Sequence, residues 1–248
     1  IWFQHLHKSA GTLIVNMAIE NNEVLYQSHG NGNPKNKDGG ILPLWEYNEK
    51  ELINFVNKCE KDGVTFVATE QGSPNFETLI KDSRVFLITC LRDPLKRSVS
   101  NFNYAYYSGY TDCTSFEKFL EKPNVYMSNN YYTRIFSNSE RFPLVHIGKK
   151  EYLSAVNTLM NFDLVLSTNI SHMDLFANLN DSVGWDKKDG IKQHATFGDY
   201  WKIVNMIKKL EIRKLIRYIR RKNMAFEIEY IKNKYSWDYK LIEELFNE

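Results

Sequence analysis

Six residues near the start of the chain, His7-Lys8-Ser9-Ala10-Gly11-Thr12, have the make-up of an anion-binding loop. Gly11 lets the backbone approach a ligand closely. The N–H groups that open the following helix point at an anion, and the helix dipole favours negative charge there. Lys8 adds a point charge, and the Ser9 and Thr12 hydroxyls add donors. The order is not that of a Walker loop, G-x-x-x-x-G-K followed by Ser or Thr, because here the Lys precedes the Gly. Taken alone, the hexapeptide reads equally well as a helix start with an incidental Lys.

A second segment, Leu91-Arg92-Asp93-Pro94-Leu95-Lys96-Arg97-Ser98-Val99-Ser100, follows the apolar run 85–91. Arg92 falls at the carboxyl end of a strand, where open parallel sheets place ligands. Ser100 falls on the next helix. Both can reach one phosphate, Arg92 by a charge-assisted fork and Ser100 by its hydroxyl. The plainer alternative is a local Arg92–Asp93 ion pair that caps the helix.

The elements that must position these groups alternate strand and helix. Strand candidates are residues 1–5, 23–27, 64–69, 85–91 and 162–167. The third and fourth are continuous apolar or β-branched runs, as in strands covered on both faces. Helical patterns fall at 12–20, 49–59, 116–120, 131–136, 173–179, 201–222 and 239–246, and Pro94 opens another. Residues 29–40, rich in Gly, Asn and Lys, read as a mobile surface loop, and 182–197 as a polar loop. The alternation predicts an α/β fold with a central, mainly parallel sheet flanked by helices, as one P-loop-like domain over residues 1–248.

Together the two segments resemble the PAPS-dependent sulfotransferases. The first is similar to the family's 5′-phosphosulfate loop: His or Pro, Lys, Ser or Thr, Ala or Gly, Gly or Ser, Thr. The second is similar to its 3′-phosphate motif L-R-D-P-x-x-R-x-x-S, with Arg92 and Ser100 at the matching spacing. Among its branches, the chain most resembles Golgi-type carbohydrate enzymes of the heparan sulfate 2-O-sulfotransferase kind and their microbial relatives. Residues 161–168 resemble the family's F-D-x-V-G-x-T-E strand, though Asn169 stands where many relatives have Glu. Residues 233–241 resemble a late N-x-x-D-x-x-L segment through Asp238 and Leu241.

The resemblance implies a sulfotransferase fold and transfer of a sulfuryl group from PAPS to a hydroxyl or amine, leaving PAP and needing no metal. The acceptor would be a carbohydrate or small molecule. Lys8 would stabilise charge on the leaving phosphate. Ser9, Ala10, Gly11, Thr12 and Leu13 would hold the 5′ end, and Arg92 with Ser100 the 3′-phosphate. Lys192 and Thr196 would touch the nucleotide from a closing loop, though they are equally well solvated surface residues. Tyr131 and Arg134, in Asn-Asn-Tyr-Tyr-Thr-Arg, would face the substrate; an ordinary helix-surface Arg is the bland alternative.

For the general base the first choice is Glu70, at the end of the third strand. Its alternative is a turn cap before Gln71-Gly72-Ser73-Pro74. His29 is the backup, and His5, His7 and His194 are further rivals. The aromatic run Phe102, Tyr104, Tyr106, Tyr107 and Tyr110 is read by default as core, with stacking against sugar or adenine as its alternative. A kinase using ATP, or a non-catalytic nucleotide- or glycan-binding protein of the same fold, remains an alternative function.

The balance of the chain narrows little more. A net charge of +2 gives no footprint for nucleic acid, and the basic residues 213–222 read as a solvated helix face. The three cysteines, Cys59, Cys90 and Cys113, lack metal-ligand spacing. Cys90 reads as a buried thiol, and a Cys59–Cys113 bridge is conceivable. No apolar run reaches the roughly 18 residues of a membrane span. The sequence opens directly on a strand, Ile1-Trp2-Phe3, without Met. That leaves a cytoplasmic protein if the chain is complete, or a Golgi-lumen protein if an anchor precedes it. Oligomeric state is not legible.

Overall fold

The computed structural model describes residues 1–121, 128–141, 143–169, 171–186, 200–219 and 229–246. In chain order the elements are β1 (Trp2–Gln4), α1 (Gly11–Glu20), β2 (His29–Gly30), β3 (Asn33–Pro34), α2 (Glu49–Lys61), β4 (Val67–Thr69), α3 (Phe76–Lys81), β5 (Leu87–Leu91), α4 (Pro94–Tyr107), α5 (Phe116–Leu120), α6 (Tyr131–Phe136), α7 (Lys149–Met160), β6 (Leu164–Ser167), α8 (His172–Val183), α9 (Tyr200–Lys208), α10 (Ile212–Ile219), a 3₁₀ turn (Glu229–Tyr235) and α11 (Ser236–Phe246). Four strands form one parallel sheet in the order β4-β1-β5-β6. The α/β class with a central parallel sheet flanked by helices is therefore as expected. The second expected strand shrinks to a single parallel bridge, Leu25 to Phe66, on the outer edge of β4.

Strand alternation divides the core between the sheet's two faces. Trp2, Val67, Leu87 and Leu91 pack with α2, α3, α6, α7 and α11. Phe3, Ala68, Ile88, Cys90 and Leu166 pack with α1 and α8. The first of these faces also carries a polar stripe. Thr69 Oγ1 donates to Gln4 Oε1 (2.9 Å), Thr89 Oγ1 to the Gln4 carbonyl (2.9 Å) and Trp2 Nε1 to Thr69 Oγ1 (3.1 Å). From β1 the chain crosses to β4, whereas β5 leads outward to β6. The gap between the ends of β1 and β5 is thus the topological switch point, where such sheets bind ligands.

Several expectations change. Residues 29–34 are not an irregular surface loop: β2 and β3 pair antiparallel around Asn31 (φ 51°) and Gly32 (φ 80°). That is the two-residue Asn-Gly turn whose twist suits a hairpin. The helix expected over 201–222 breaks at Leu210 (φ 54°) into α9 and α10, and residues 220–222 lie outside the described part. Arg217 on α10 is not merely solvated: it donates to the carbonyls of Tyr106 and Thr111, pairs with Asp112 at 2.7 Å and stacks on the Tyr106 ring. All three cysteines are free, so Cys59 and Cys113 are not bridged. Burial pushes the Cys90 thiol up to about 12, which makes it inert.

Asp238, at the start of α11, is fully buried beneath the start of α6. It accepts the Tyr132 and Thr133 amides (3.2 and 2.9 Å) and the Thr133 hydroxyl (2.9 Å). Donors at a helix start with no intrahelical acceptor are thereby satisfied. Burial pushes the carboxyl up, the three bonds and Arg97 pull it back, and the result is about 6. Because this folded-state value lies above the unfolded one, the stability it confers is full below about pH 4 and is lost as pH rises through about 6. Asp238→Asn, which does not titrate, is expected to remove that dependence. Urea unfolding at stepped pH measures it, and parallel curves for the two proteins would reject the assignment.

Candidate active site

At the switch point lies a cleft of about 590 Å³ lined by residues from the loops after β1, β4 and β5 and from α4. Its floor is the loop 5–12. Lys8 (φ 67°) and Ala10 (φ 59°) both take the left-handed conformation that side chains disfavour, the kind of strain that clusters at ligand sites. The Ser9 amide closes a turn onto the Leu6 carbonyl, and the next amides with a backbone acceptor are those of Leu13 and Ile14, both to the Ala10 carbonyl. Among the described residues the amides of Ala10, Gly11 and Thr12 have no acceptor in the chain, so they are the groups a bound anion would meet.

Gly11 is required for a reason the sequence did not reveal. A Cβ there would lie 1.8 Å from the His5 ring, so the glycine makes room for an imidazole as well as for a ligand. Ser9 differs too. Its side chain is buried and its hydroxyl lies 3.3 Å from the Tyr132 hydroxyl, so it anchors the loop from beneath.

Arg92 follows β5 and turns back over the first loop, donating to the Lys8 carbonyl at 3.2 Å. It does not cap α4. Asp93 does so with its own side chain, accepting the Lys96 amide at 2.7 Å, and Pro94 occupies the first turn. Ser100, on α4, lines the same cleft. The neighbouring Arg97 is wholly buried, its guanidinium 4.0 Å from the Tyr131 ring centre. Tyr132 joins the two loops: its hydroxyl donates to the Arg92 carbonyl (2.7 Å) and accepts the Arg92 amide (3.2 Å).

Glu70, at the end of β4, lines the same cleft. Oε1 is 2.8 Å from His7 Nδ1, and Oε2 is 3.7 Å from His5 Nδ1. The Glu70 amide donates to Asn33 Oδ1 at 2.7 Å, so the hairpin fixes the carboxylate's backbone. Burial opposes the charge on Glu70, but His5, the His7 hydrogen bond and Lys8 outweigh it and hold the carboxyl at about 2. Burial conversely drives His5 below its ordinary value, and at neutral pH we assign the cluster as a carboxylate beside an uncharged His5.

Of the residues singled out in the sequence, Lys8, Ala10, Gly11, Thr12, Leu13, Glu70, Arg92 and Ser100 line this one cleft, with the rivals His5 and His7. Three do not. His29 turns into its own hairpin, where Nδ1 accepts the Gly32 amide at 3.2 Å. Tyr131 is core, 1% exposed beneath Arg97. Arg134 is 2% exposed, and its guanidinium donates to the Asn129 carbonyl and side chain and to the Ser139 and Val145 carbonyls. The reason is common to Tyr131 and Arg134: every residue of α6 is buried. Lys192, Thr196 and His194 lie outside the described residues.

Asn31 and Thr168, which the sequence does not single out, also line the cleft. So does Tyr104, against the core default: Lys8 Nζ sits 4.8 Å from its ring centre and His7 meets its edge at 5.5 Å. Phe102 and Tyr107 are core as expected, whereas Tyr110 is 74% exposed. The Asn31-Gly32 pair was the available signal for the hairpin that brings Asn31 to Thr12, Nδ2 to Oγ1 at 3.5 Å.

No family model matches the chain, and a comparison with curated proteins finds no match. Among solved structures it is similar to the crystal structure of retinol dehydratase in complex with androsterone and the inactive cofactor PAP. Identity is 15% and the TM-score 0.31, over 91% of this chain and 82% of the other. A score this low carries no argument about function, which rests on the cleft itself. No described helix is long and apolar enough to cross a membrane.

Replacing Tyr132 by Phe removes both bonds to Arg92 and the contact to Ser9. Denaturant unfolding is expected to show a loss of about 1–3 kcal/mol. Wild-type stability in Tyr132→Phe would mean the loops are held by other contacts.

Proposed function

We propose that this chain transfers a sulfuryl group from PAPS to a hydroxyl or amine of a small-molecule or carbohydrate acceptor. The observation that carries the reading is the convergence on one cleft of Lys8, the open amides of Ala10 to Thr12, Arg92 and Ser100, facing the His7–Glu70 pair. When bound, PAPS supplies the activated sulfuryl group and a phosphate leaving group. The start of α1 suits its 5′ phosphate. Arg92 and Ser100 suit the 3′-phosphate, and their motif spacing supports that assignment. Lys8, beside the loop amides, holds positive charge where the leaving oxygen gains negative charge. Lys192 and Thr196 are retained as further nucleotide contacts. A kinship to the heparan sulfate 2-O-sulfotransferase branch rests on the sequence motifs alone.

The acceptor's proton goes to the His7–Glu70 pair. A carboxylate held near 2 is a weak base by itself, but it orients the imidazole through Nδ1 so that the ring takes a proton on its other nitrogen. Tyr104 and Asn31 flank that side of the cleft and face the acceptor.

Calorimetry with PAP, and separately with ATP·Mg²⁺, tests the nucleotide assignment. PAP is expected to bind, and Arg92→Ala to weaken it at least about tenfold by loss of a charge-assisted contact. Binding of ATP·Mg²⁺ with no response to PAP would favour a kinase. Labelled PAPS with a broad acceptor panel tests transfer; PAP binding without any product would favour a binding protein.

Glu70→Gln and His7→Gln are each expected to lower turnover by about 10²–10⁴-fold while still binding PAP. A rate that holds steady down to about pH 3 would assign the proton to Glu70 alone.

A further inference from the structure

The alternation of β1 places His5 on the same face as Phe3, and the two rings stack at 5.5 Å and 12°. That is the face on which α1 packs, so the imidazole is wedged between two functional groups. One edge presses on Gly11, at the start of α1, where Nε2 and Cδ2 would lie 1.8 Å from an added Cβ. The other edge faces Glu70, with Nδ1 3.7 Å from Oε2, too long for a hydrogen bond. His5 Nδ1 is buried and has no hydrogen-bond partner among the described residues. Buried polar atoms are rarely left so, and an orphan nitrogen between a carboxylate and an anion site calls for an account.

The charged and titratable groups around the ring are Glu70, His7 and Lys8. Burial, with His7 and Lys8, disfavours the imidazolium, and Glu70 favours it. An anion at the helix start adds a second favourable charge on the ring's opposite edge.

We propose that His5 is a positioning residue that couples the phosphate loop to the base: an anion bound at the start of α1 draws one proton from solvent onto His5, and the imidazolium then closes on Glu70 Oε2. The orphan nitrogen thereby gains its partner. Glu70 is clamped from both sides, by His5 and by His7, once the donor is in place. No bond in the anion changes, and the proton comes from water. The inference rests on the proposed anion site and on the role of Glu70 with His7.

Nitrogen NMR of the histidine side chains in the full chain tests it, with PAP as the first probe and inorganic pyrophosphate as the second. The His5 nitrogens are expected to move from the neutral-ring pattern to the imidazolium pattern when either anion binds. Calorimetry in buffers of different ionisation enthalpy should report net proton uptake on the order of half to one per anion. In His5→Gln that uptake should fall to whatever the anion's own titration contributes. Wild-type PAP affinity should also rise with falling pH more steeply than that of His5→Gln. A His5 that stays neutral with anion bound overturns the coupling, and the wild-type spectra give this result even if His5→Gln does not fold. Pyrophosphate binding with proton uptake but no PAP binding would keep the coupling and sink the nucleotide reading. Failure of both anions to bind sinks both.

Discussion

The loops after β1 and β5 leave the sheet in different directions, and the cleft depends on their staying together. Tyr132 supplies that constraint from below. Its hydroxyl donates to the Arg92 carbonyl, accepts the Arg92 amide and touches the Ser9 hydroxyl. Tyr132 itself is held by α6, whose opening amides are capped by Asp238 from α11. Arg97 lies against the faces of Tyr131 and Tyr132. A single buried network therefore runs from the last helix to the first loop. Removing one partner from such a network leaves others buried and unsatisfied, which costs more than the lost bond.

The cleft built on this base is electrically two-sided. Lys8, Arg92 and the open start of α1 form a positive wall. Glu70 forms the other, with imidazoles on both sides of its carboxylate. Its place is set by backbone as well as charge, because Asn33 accepts the Glu70 amide and donates to the carbonyls of Gly30 and Asn31. The same hairpin thus fixes the backbone of Glu70 and carries Asn31 into the cleft. Strain at Lys8 and Ala10 is offset by the Arg92 guanidinium on the Lys8 carbonyl and by the helix bonds to the Ala10 carbonyl.

Much of this was legible one residue at a time. The strand–loop–helix order around Lys8, the Pro94 helix start, the short helices 116–120 and 131–136, and the position of Arg92 just past a buried strand all follow from local pattern. Local pattern failed where burial decided the outcome. Arg134 and Tyr131 have the chemistry of binding residues, but α6 is enclosed on every side, so their polar atoms and rings serve the interior. Tyr104 looked like core among its aromatic neighbours, yet its side of α4 turns toward Lys8 and His7. The Asn31-Gly32 turn was visible in the sequence; that it would bring Asn33 to Glu70 was not.

By itself the sequence determined which chemical groups exist and which local conformations they favour: an Asn-Gly turn, an Asp cap with Pro after it, apolar runs that become buried strands. Backbone sterics and side-chain hydrogen bonding act over a few residues, so one chain read alone suffices for them. Tertiary structure decided which groups meet. Whether Gly11 makes room for a ligand or for His5, and whether Glu70 stands alone or between two imidazoles, depends on strands 60 or more residues apart in sequence lying side by side. The first loop therefore keeps the open amides and the Lys8 charge that its residues implied. Its partners, and the charge on each, come from the packing around it.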